Sequence, residues 1–297
     1  MDRYFRNRTA FSIFVFPALI VFTFTVFVPI AWSIGYSLFK WNGITQMRFI
    51  GLNNYRTMLF EDSTFWLTFK NNLVYVGLNV VIQVGLGMLV ALLLNQIKVF
   101  RNLFKTLYFT PAIISSVAIC QVFSKALSIE PMGIVNALFH GMGFGNMVRA
   151  WLSDINWALV IVSFVEGYRF IGLYMVILYS ALISLPGDVI EAATIDGASP
   201  VQMFLKVKFP LIRGVFGVAV IMVVNGTMKG FDVPYILTNG GPGKLSELVA
   251  TYMYKTAFLS SKFGYGSAVA VFIAIECLVM VLLLKRIYLA DNEPSLH

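Results

Sequence analysis

The chain has 297 residues, of which 59% are hydrophobic and only 12% charged, with 27 Phe and a mean hydropathy of +0.81. That leaves too little polar surface to coat a soluble globule of this length, so composition excludes a water-soluble domain and points to a protein embedded in the lipid bilayer. The formal net charge of +8 could suggest nucleic acid, but Lys and Arg stand at the ends of apolar runs rather than along one helix face, which marks them as topology signals and leaves no nucleic-acid partner expected.

A bilayer core takes about 20 apolar residues to cross, and six such runs follow one another: about 11–37, 71–95, 105–127, 157–183, 211–231 and 267–287. The first follows Arg3, Arg6 and Arg8, contains Pro17 and Pro29 and lacks a small-residue cleavage site, so it is expected as a retained span and not a signal peptide. Arg3, Arg6 and Arg8, then Lys98, Arg101 and Lys105, then Lys206, Lys208 and Arg213, then Lys285 and Arg286 all fall on one side of the membrane under this count. The loops of the other side carry fewer cations per residue and include Glu61, Asp62, Glu130, Asp154 and Glu247. By the positive-inside rule both ends are cytosolic. The expectation is an all-α integral membrane protein with six transmembrane helices. It has a cytosolic N-terminus at 1–10, one membrane domain over 11–290 and a cytosolic tail at 291–297, with no internal repeat.

Between the fourth and fifth runs, residues 185–210 form a polar, turn-rich insert on the cytosolic side. Glu191, Ala192 and Ala193 suit a short helix whose small side chains let a partner backbone come close, and Gly197 lets the chain reverse. Val201 to Phe209, with Phe204, Leu205 and Val207 beside Lys206 and Lys208, reads as a second amphipathic helix, and Pro210 starts the next apolar run. Such a helix could simply lie on lipid. The turn Asn239-Gly240-Gly241-Pro242-Gly243 after the fifth run suits a plain reversal on the outer face. Leu38 to Thr68, with Trp41, Tyr55 and Trp66, is outer-face surface or an aromatic belt.

Polar side chains within spans face cavities or partners because lipid is a poor host for charge. They are Asn79 and Gln83 in the second span, Glu166, Tyr168 and Arg169 in the fourth, Asn225, Thr227, Lys229 and Asp232 in the fifth, and Glu276 in the sixth. Glu166 and Arg169, one turn apart, could equally form a structural ion pair. Cys120 and Cys277 lie inside apolar runs and read as small buried hydrophobes. There is no G-x-x-x-x-G-K-[ST] loop, nucleophile elbow, H-E-x-x-H or metal-spaced cluster, and the two His, His140 and His297, fall in a loop and at the terminus. The chain reads as non-catalytic, with no cofactor of its own and no ATP hydrolysis unaided.

The insert carries a spaced pattern: Glu191-Ala192-Ala193, three residues ending in Asp196, Gly197-Ala198, then Val207, Phe209 and Pro210. It is similar to the coupling loop of binding-protein-dependent ABC import permeases, with Val207 where Ile is usual and Phe209 where Leu is usual. Asn71-Asn72-Leu73, Tyr108-Phe109-Thr110-Pro111, Trp151-Leu152-Ser153-Asp154, Leu237 to Pro242 and Phe263 to Ala268 extend the resemblance in order from about residue 50 onward. It is strongest to the first permease of maltose and glycerol-3-phosphate type sugar importers.

The resemblance implies a subunit of the bacterial cytoplasmic (inner) membrane that carries a sugar or oligosaccharide. It implies a second six-span permease as heterodimer partner and two cytosolic ATPase subunits holding ATP and Mg. These ATPases would dock on Glu191, Ala192, Ala193, Asp196, Gly197, Ala198, Phe204 and Pro210. An extracytoplasmic sugar-binding protein would dock at Asn239, Gly240, Gly241 and Pro242. Counting from the coupling loop, it places a sugar pocket at Glu166, Arg169 and Phe170 and at Val223, Gly226, Thr227 and Gly230; Tyr168 is a candidate aromatic platform and Asn79 a further pathway residue. Where relatives show Asn this chain has none, which argues against maltose itself. Lys229 and Asp232 are expected near the external interface. Two alternatives compete: an ion-coupled secondary transporter using Glu166 and Glu276, against which stands the lack of an inverted repeat and of Gly/Pro-broken span pairs, and a membrane scaffold that transports nothing.

Overall fold

The computed structural model describes residues 8–97 and 99–289, with side chains from Phe14 to Tyr288 apart from Lys98. Arg3, Arg6, the Arg8 side chain, Lys98, the tail 291–297 and His297 lie outside the described residues.

The chain is helical nearly throughout. Helix α1 (Arg8–Phe22) runs through a π turn, Thr23–Phe27, into α2 (Val28–Tyr36). A two-stranded antiparallel hairpin, β1 (Phe39–Lys40) and β2 (Arg48–Phe49), leads to α3 (Asn53–Phe60). Next come α4 (Ser63–Asn79), a π segment Val80–Leu86, α5 (Gly87–Gln96), α6 (Arg101–Ile113), α7 (Ser116–Ala126) and α8 (Ile134–Gly141). The rest is α9 (Ala158–Ile183), α10 (Gly187–Ile195), α11 (Pro200–Gln202), a π segment Met203–Lys208, α12 (Phe209–Met228), α13 (Asp232–Leu237), α14 (Val249–Tyr254) and α15 (Phe263–Leu289).

Among the described residues, five stretches are long and apolar enough to cross a membrane: Phe14–Tyr36, Ser63–Gln96, Ala158–Ile183, Pro200–Met228 and Phe263–Tyr288. The third run departs from the expected straight span at 105–127. It is two helices, α6 and α7, meeting at 98°. Pro111 sits in the last turn of α6, and Ile114 and Ser115 take extended backbone, so the hydrogen-bond ladder stops and restarts in a new direction. Counted as one span, the pair brings the total to six.

The chain divides into two compact units. In the first, 1–63 with 253–274, Asn54 donates to the Ser37 and Phe39 carbonyls (2.7 and 3.0 Å) and Tyr55 to the Ser37 hydroxyl (2.7 Å). The start of α15 closes on the hairpin segment: Gly264 N donates to the Trp41 carbonyl, Tyr265 donates to Asp62 at 2.5 Å, and Trp41 packs on Phe263.

The second unit, 64–252 with 275–297, has a core of Tyr75, Ile119, Cys120, Val162, Val165, Val233 and Leu248. Its central helix, α9, approaches α6 so closely at Gly172 that any side chain there would meet the Tyr108 carbonyl. Small residues at crossings are how membrane helices gain packing when lipid offers no hydrophobic drive. Cys120 and Cys277 are free thiols, both buried.

Above α9, the segment 127–157 is organised by Asn136, which is fully buried. Its amide donates to the Ser128 and Arg149 carbonyls (2.9 and 3.1 Å), and its carbonyl accepts from Trp151 Nε1 at 2.9 Å. Asn136→Leu strands these partners in an apolar interior. We expect a loss on the order of 3 kcal/mol, measured as a lower thermal midpoint of the purified protein in detergent; an unchanged midpoint would remove Asn136 from this role.

Candidate functional site

α4, α9 and α12 together with α13 enclose a cavity of about 360 Å³ in the second unit. Of the residues singled out in the sequence, Glu166, Arg169, Phe170, Val223, Gly226, Thr227 and Gly230 line it. Helical spacing brings them together: 166, 169 and 170 share a face of α9, and 223, 226 and 227 share a face of α12, with 230 just past its end.

Two expected residues do not line it. Tyr168 points elsewhere, exposed and packed edge-on against Phe123 with ring centroids 5.4 Å apart, because it lies about 200° round the helix from both Glu166 and Phe170. Asn79 is buried behind the wall, donating to the Tyr75 carbonyl at 2.9 Å and accepting from Gln83 at 2.8 Å.

Lys229 and Asp232, expected near the external interface, line it as well. α12 ends at Met228 and the chain turns at Gly230 into α13, which folds both charges back over the cavity. Tyr75, Gln83, Leu173, Tyr174, Phe231 and Val233 complete the wall. Sequence reasoning missed most of these. The available signal was the four-residue repeat Asn71, Tyr75, Asn79, Gln83, one buried polar stripe down the second long helix.

Glu166 Oε2 and Arg169 NH1 are 3.9 Å apart, and the guanidinium lies 4.8 Å from the Phe170 ring centre. Arg169 Nε is enclosed with no hydrogen-bond partner. Asp232 accepts a long bond, 3.5 Å, from the Ser116 hydroxyl at the start of α7. Two carboxylates and two cations thus surround one cavity, with aromatic and small residues between them. No group of three or more His, Cys, Asp or Glu suited to a metal occurs among the described residues. The arrangement is that of a binding cavity: it offers donors, acceptors and aromatic faces to a polar solute.

The insert 185–210 begins as expected and then differs. α10 carries Glu191, Ala192 and Ala193, with Glu191 and Ala192 exposed. Gly197 takes φ +77°, a left-handed turn that side chains resist, and is exposed beside Asp196. Ser199 caps the next helix through a capping box with Gln202.

That next helix is not a separate amphipathic piece ending at Phe209. It runs without a break from Pro200 to Met228. Pro210, expected to start a new span, lies inside it: the Met203–Lys208 π segment closes with Phe209 N–H on the Phe204 carbonyl, a wider ring that tolerates a proline one residue on. The helix of 29 residues is about 43 Å long at 1.5 Å per residue and ties the exposed turn at Gly197 to the cavity wall. Phe204 is half-buried, lining with Ile190, Thr194, Ala198, Pro200 and Met203 a second cavity of about 400 Å³ under the turn.

On the far side of the cavity, the 239–247 turn is pinned to α4. Asn71 donates to the Lys244 and Glu247 carbonyls (3.0 and 3.1 Å), and Ser246 donates to the Gly241 carbonyl. Asn239, Gly240, Gly243 and Lys244 all take positive φ, and the Gly241–Pro242 peptide is cis. Asn239 is exposed, Gly241 and Pro242 are half-buried, and Gly240 is buried.

The described residues thus form a helical, multi-pass membrane protein with a polar cavity between its helices and an exposed turn on the end of a cavity-lining helix. Residues 83–290 match the family described as "Binding-protein-dependent transport system inner membrane component". The chain belongs to this family, the permease component of ABC transporters. It is 35% identical over 292 residues to the "Probable ABC transporter permease protein YurN" of Bacillus subtilis (strain 168), covering 97% of this chain and 99% of that one. It is 31% identical over 295 residues to the "Probable starch degradation products transport system permease protein AmyD" of Thermoanaerobacterium thermosulfurigenes, covering 98% and 97%. A chain of the solved "bacterial alginate ABC transporter in complex with alginate pentasaccharide-bound periplasmic protein" has the same fold, with TM-score 0.84, 20% identity and 98% of each chain covered.

Proposed function

We propose that this chain is the permease subunit of an importer that moves a sugar or oligosaccharide, delivered by an extracytoplasmic binding protein, into the cytosol by alternating access. The observation that carries the reading is the polar cavity joined by one continuous helix to the exposed Gly197 turn. Relatives named for starch degradation products and arabinooligosaccharides support the sugar class, as do the hydrogen-bonding groups and the aromatic ring of Phe170 in the cavity.

In this reading the chain has six spans, α6 with α7 counting as one, in the cytoplasmic membrane of a bacterium, with both ends and residues 187–198 in the cytosol. Lys206, Lys208, Arg213, Lys285 and Arg286 then share the cytosolic side, as the positive-inside rule asks. A second six-span permease completes the pathway, two ATPase subunits holding ATP and Mg dock on the Glu191 to Ala198 turns, and the binding protein meets the 239–242 turn. ATP binding draws the ATPases together, moves the turn, and through Pro200–Met228 tilts Val223, Gly226 and Thr227 so that the cavity opens outward; hydrolysis resets it.

Gly226→Cys tests this directly, since nothing lies within 4 Å of a side chain added at Gly226. With Cys120 and Cys277 replaced by Ser, a membrane-impermeant thiol reagent applied from outside should label the introduced thiol in the ATP-trapped assembly and at least tenfold less without nucleotide. Labelling that ignores nucleotide but follows an imposed ion gradient would favour the ion-coupled reading, which no observation supports.

A further inference from the structure

Two polar groups on the α4 side of the cavity are left over by the fold. Tyr75 is fully buried and lines the cavity, yet its hydroxyl has no hydrogen-bond partner. Its ring is fixed: a side chain on Gly230 would meet Tyr75 Cε1 at 2.9 Å, and the core residues Ile119, Cys120 and Val162 pack around it. Gln83, also buried and on the wall, spends its amide N–H on Asn79 Oδ1 at 2.8 Å, which turns its carbonyl oxygen free of that bond. Asn79 in turn donates to the Tyr75 carbonyl. The stripe is thus internally ordered and ends in one unused donor and one acceptor. A buried donor without a partner is destabilising, and a fold retains one where the group meets a partner in another state.

We propose that the long helix Ser63–Gln96 forms an additional side of the solute site, with the Tyr75 hydroxyl donating to and the Gln83 carbonyl accepting from hydroxyl groups of the solute, so that Tyr75 and Gln83 are specificity-determining residues. Eight residues of helix place them about 12 Å apart along the axis. A solute that meets both reaches along this wall of the cavity, as an oligosaccharide does. The inference rests on the sugar-import reading above.

The test uses the complete assembly in proteoliposomes with its binding protein, following labelled maltotriose and arabinotriose alongside ATP hydrolysis. Tyr75→Phe keeps the ring and removes only the hydroxyl; Gln83→Met keeps length and removes the carbonyl. Each variant should cut uptake about tenfold while stimulated ATP hydrolysis stays within about twofold, raising the ATP spent per sugar, and should change the ratio of the two sugars moved. Uptake and sugar ratio equal to the parent would overturn the proposal, as would joint loss of uptake and hydrolysis, which would make both residues structural. A parent assembly that moves neither sugar would defeat the sugar reading itself, and this inference with it.

Discussion

Gly197→Val should abolish ATP-driven uptake while leaving membrane insertion and the amount of folded protein nearly unchanged. Gly197 holds φ +77° between α10 and the helix that starts at Pro200, and nothing lies within 4 Å of a side chain added there, so the substitution acts on the backbone alone. A β-branched residue in that conformation costs about 1–2 kcal/mol, enough to unwind an exposed turn but not to unfold the protein. The turn also closes α10: Gly197 N bonds the Thr194 carbonyl and Ala198 N the Ala193 carbonyl, both at 3.1 Å. Re-aiming it would misplace Glu191 and Ala192 against the ATPase of the proposed assembly. Gly197→Asn, which tolerates the left-handed region, should keep most of the uptake. If Val and Asn variants transport equally well, the shape of this turn does not matter to coupling.

The largest expected effect on stability is at Gly172. A side chain there runs into the backbone of Tyr108 and Phe109 on α6, which cannot swing aside as a flexible side chain could. Gly172→Val should push α6 off α9 and cost on the order of 3 kcal/mol or more, seen as a lower thermal midpoint in detergent and less assembled transporter. Gly226→Val, on open cavity space, is the control and should leave the midpoint within a few degrees while impairing uptake. Equal midpoints for the two variants would mean that the α6–α9 crossing is not close-packed.

Much of this was legible in the chain. The apolar runs locate five straight spans because a bilayer imposes length and polarity on any segment that crosses it. The Glu191 to Gly197 pattern locates the exposed turn because glycine takes the left-handed conformation of such a reversal most readily. Spacing alone gathers Glu166, Arg169 and Phe170, or Val223, Gly226 and Thr227, on one helix face, because helical periodicity is local. It does not tell which of several polar residues faces the cavity: Tyr168 turned out to pack on Phe123 and Asn79 to sit behind the wall, while Lys229 and Asp232 joined it.

The sequence by itself determined a multi-pass helical membrane protein and the turn at Gly197, which depend on composition, local periodicity and backbone conformation, and its ordered motifs carried the family resemblance. Only the tertiary structure decided that α6 and α7 break apart, that Pro210 lies inside an unbroken helix, and that Tyr75 and Gln83 line the cavity. The lining of the cavity depends on what packs opposite a residue: in this chain Gly172 against Tyr108, or Gly230 against Tyr75. Such pairs lie far apart in sequence, and their meeting is set by how the helices cross.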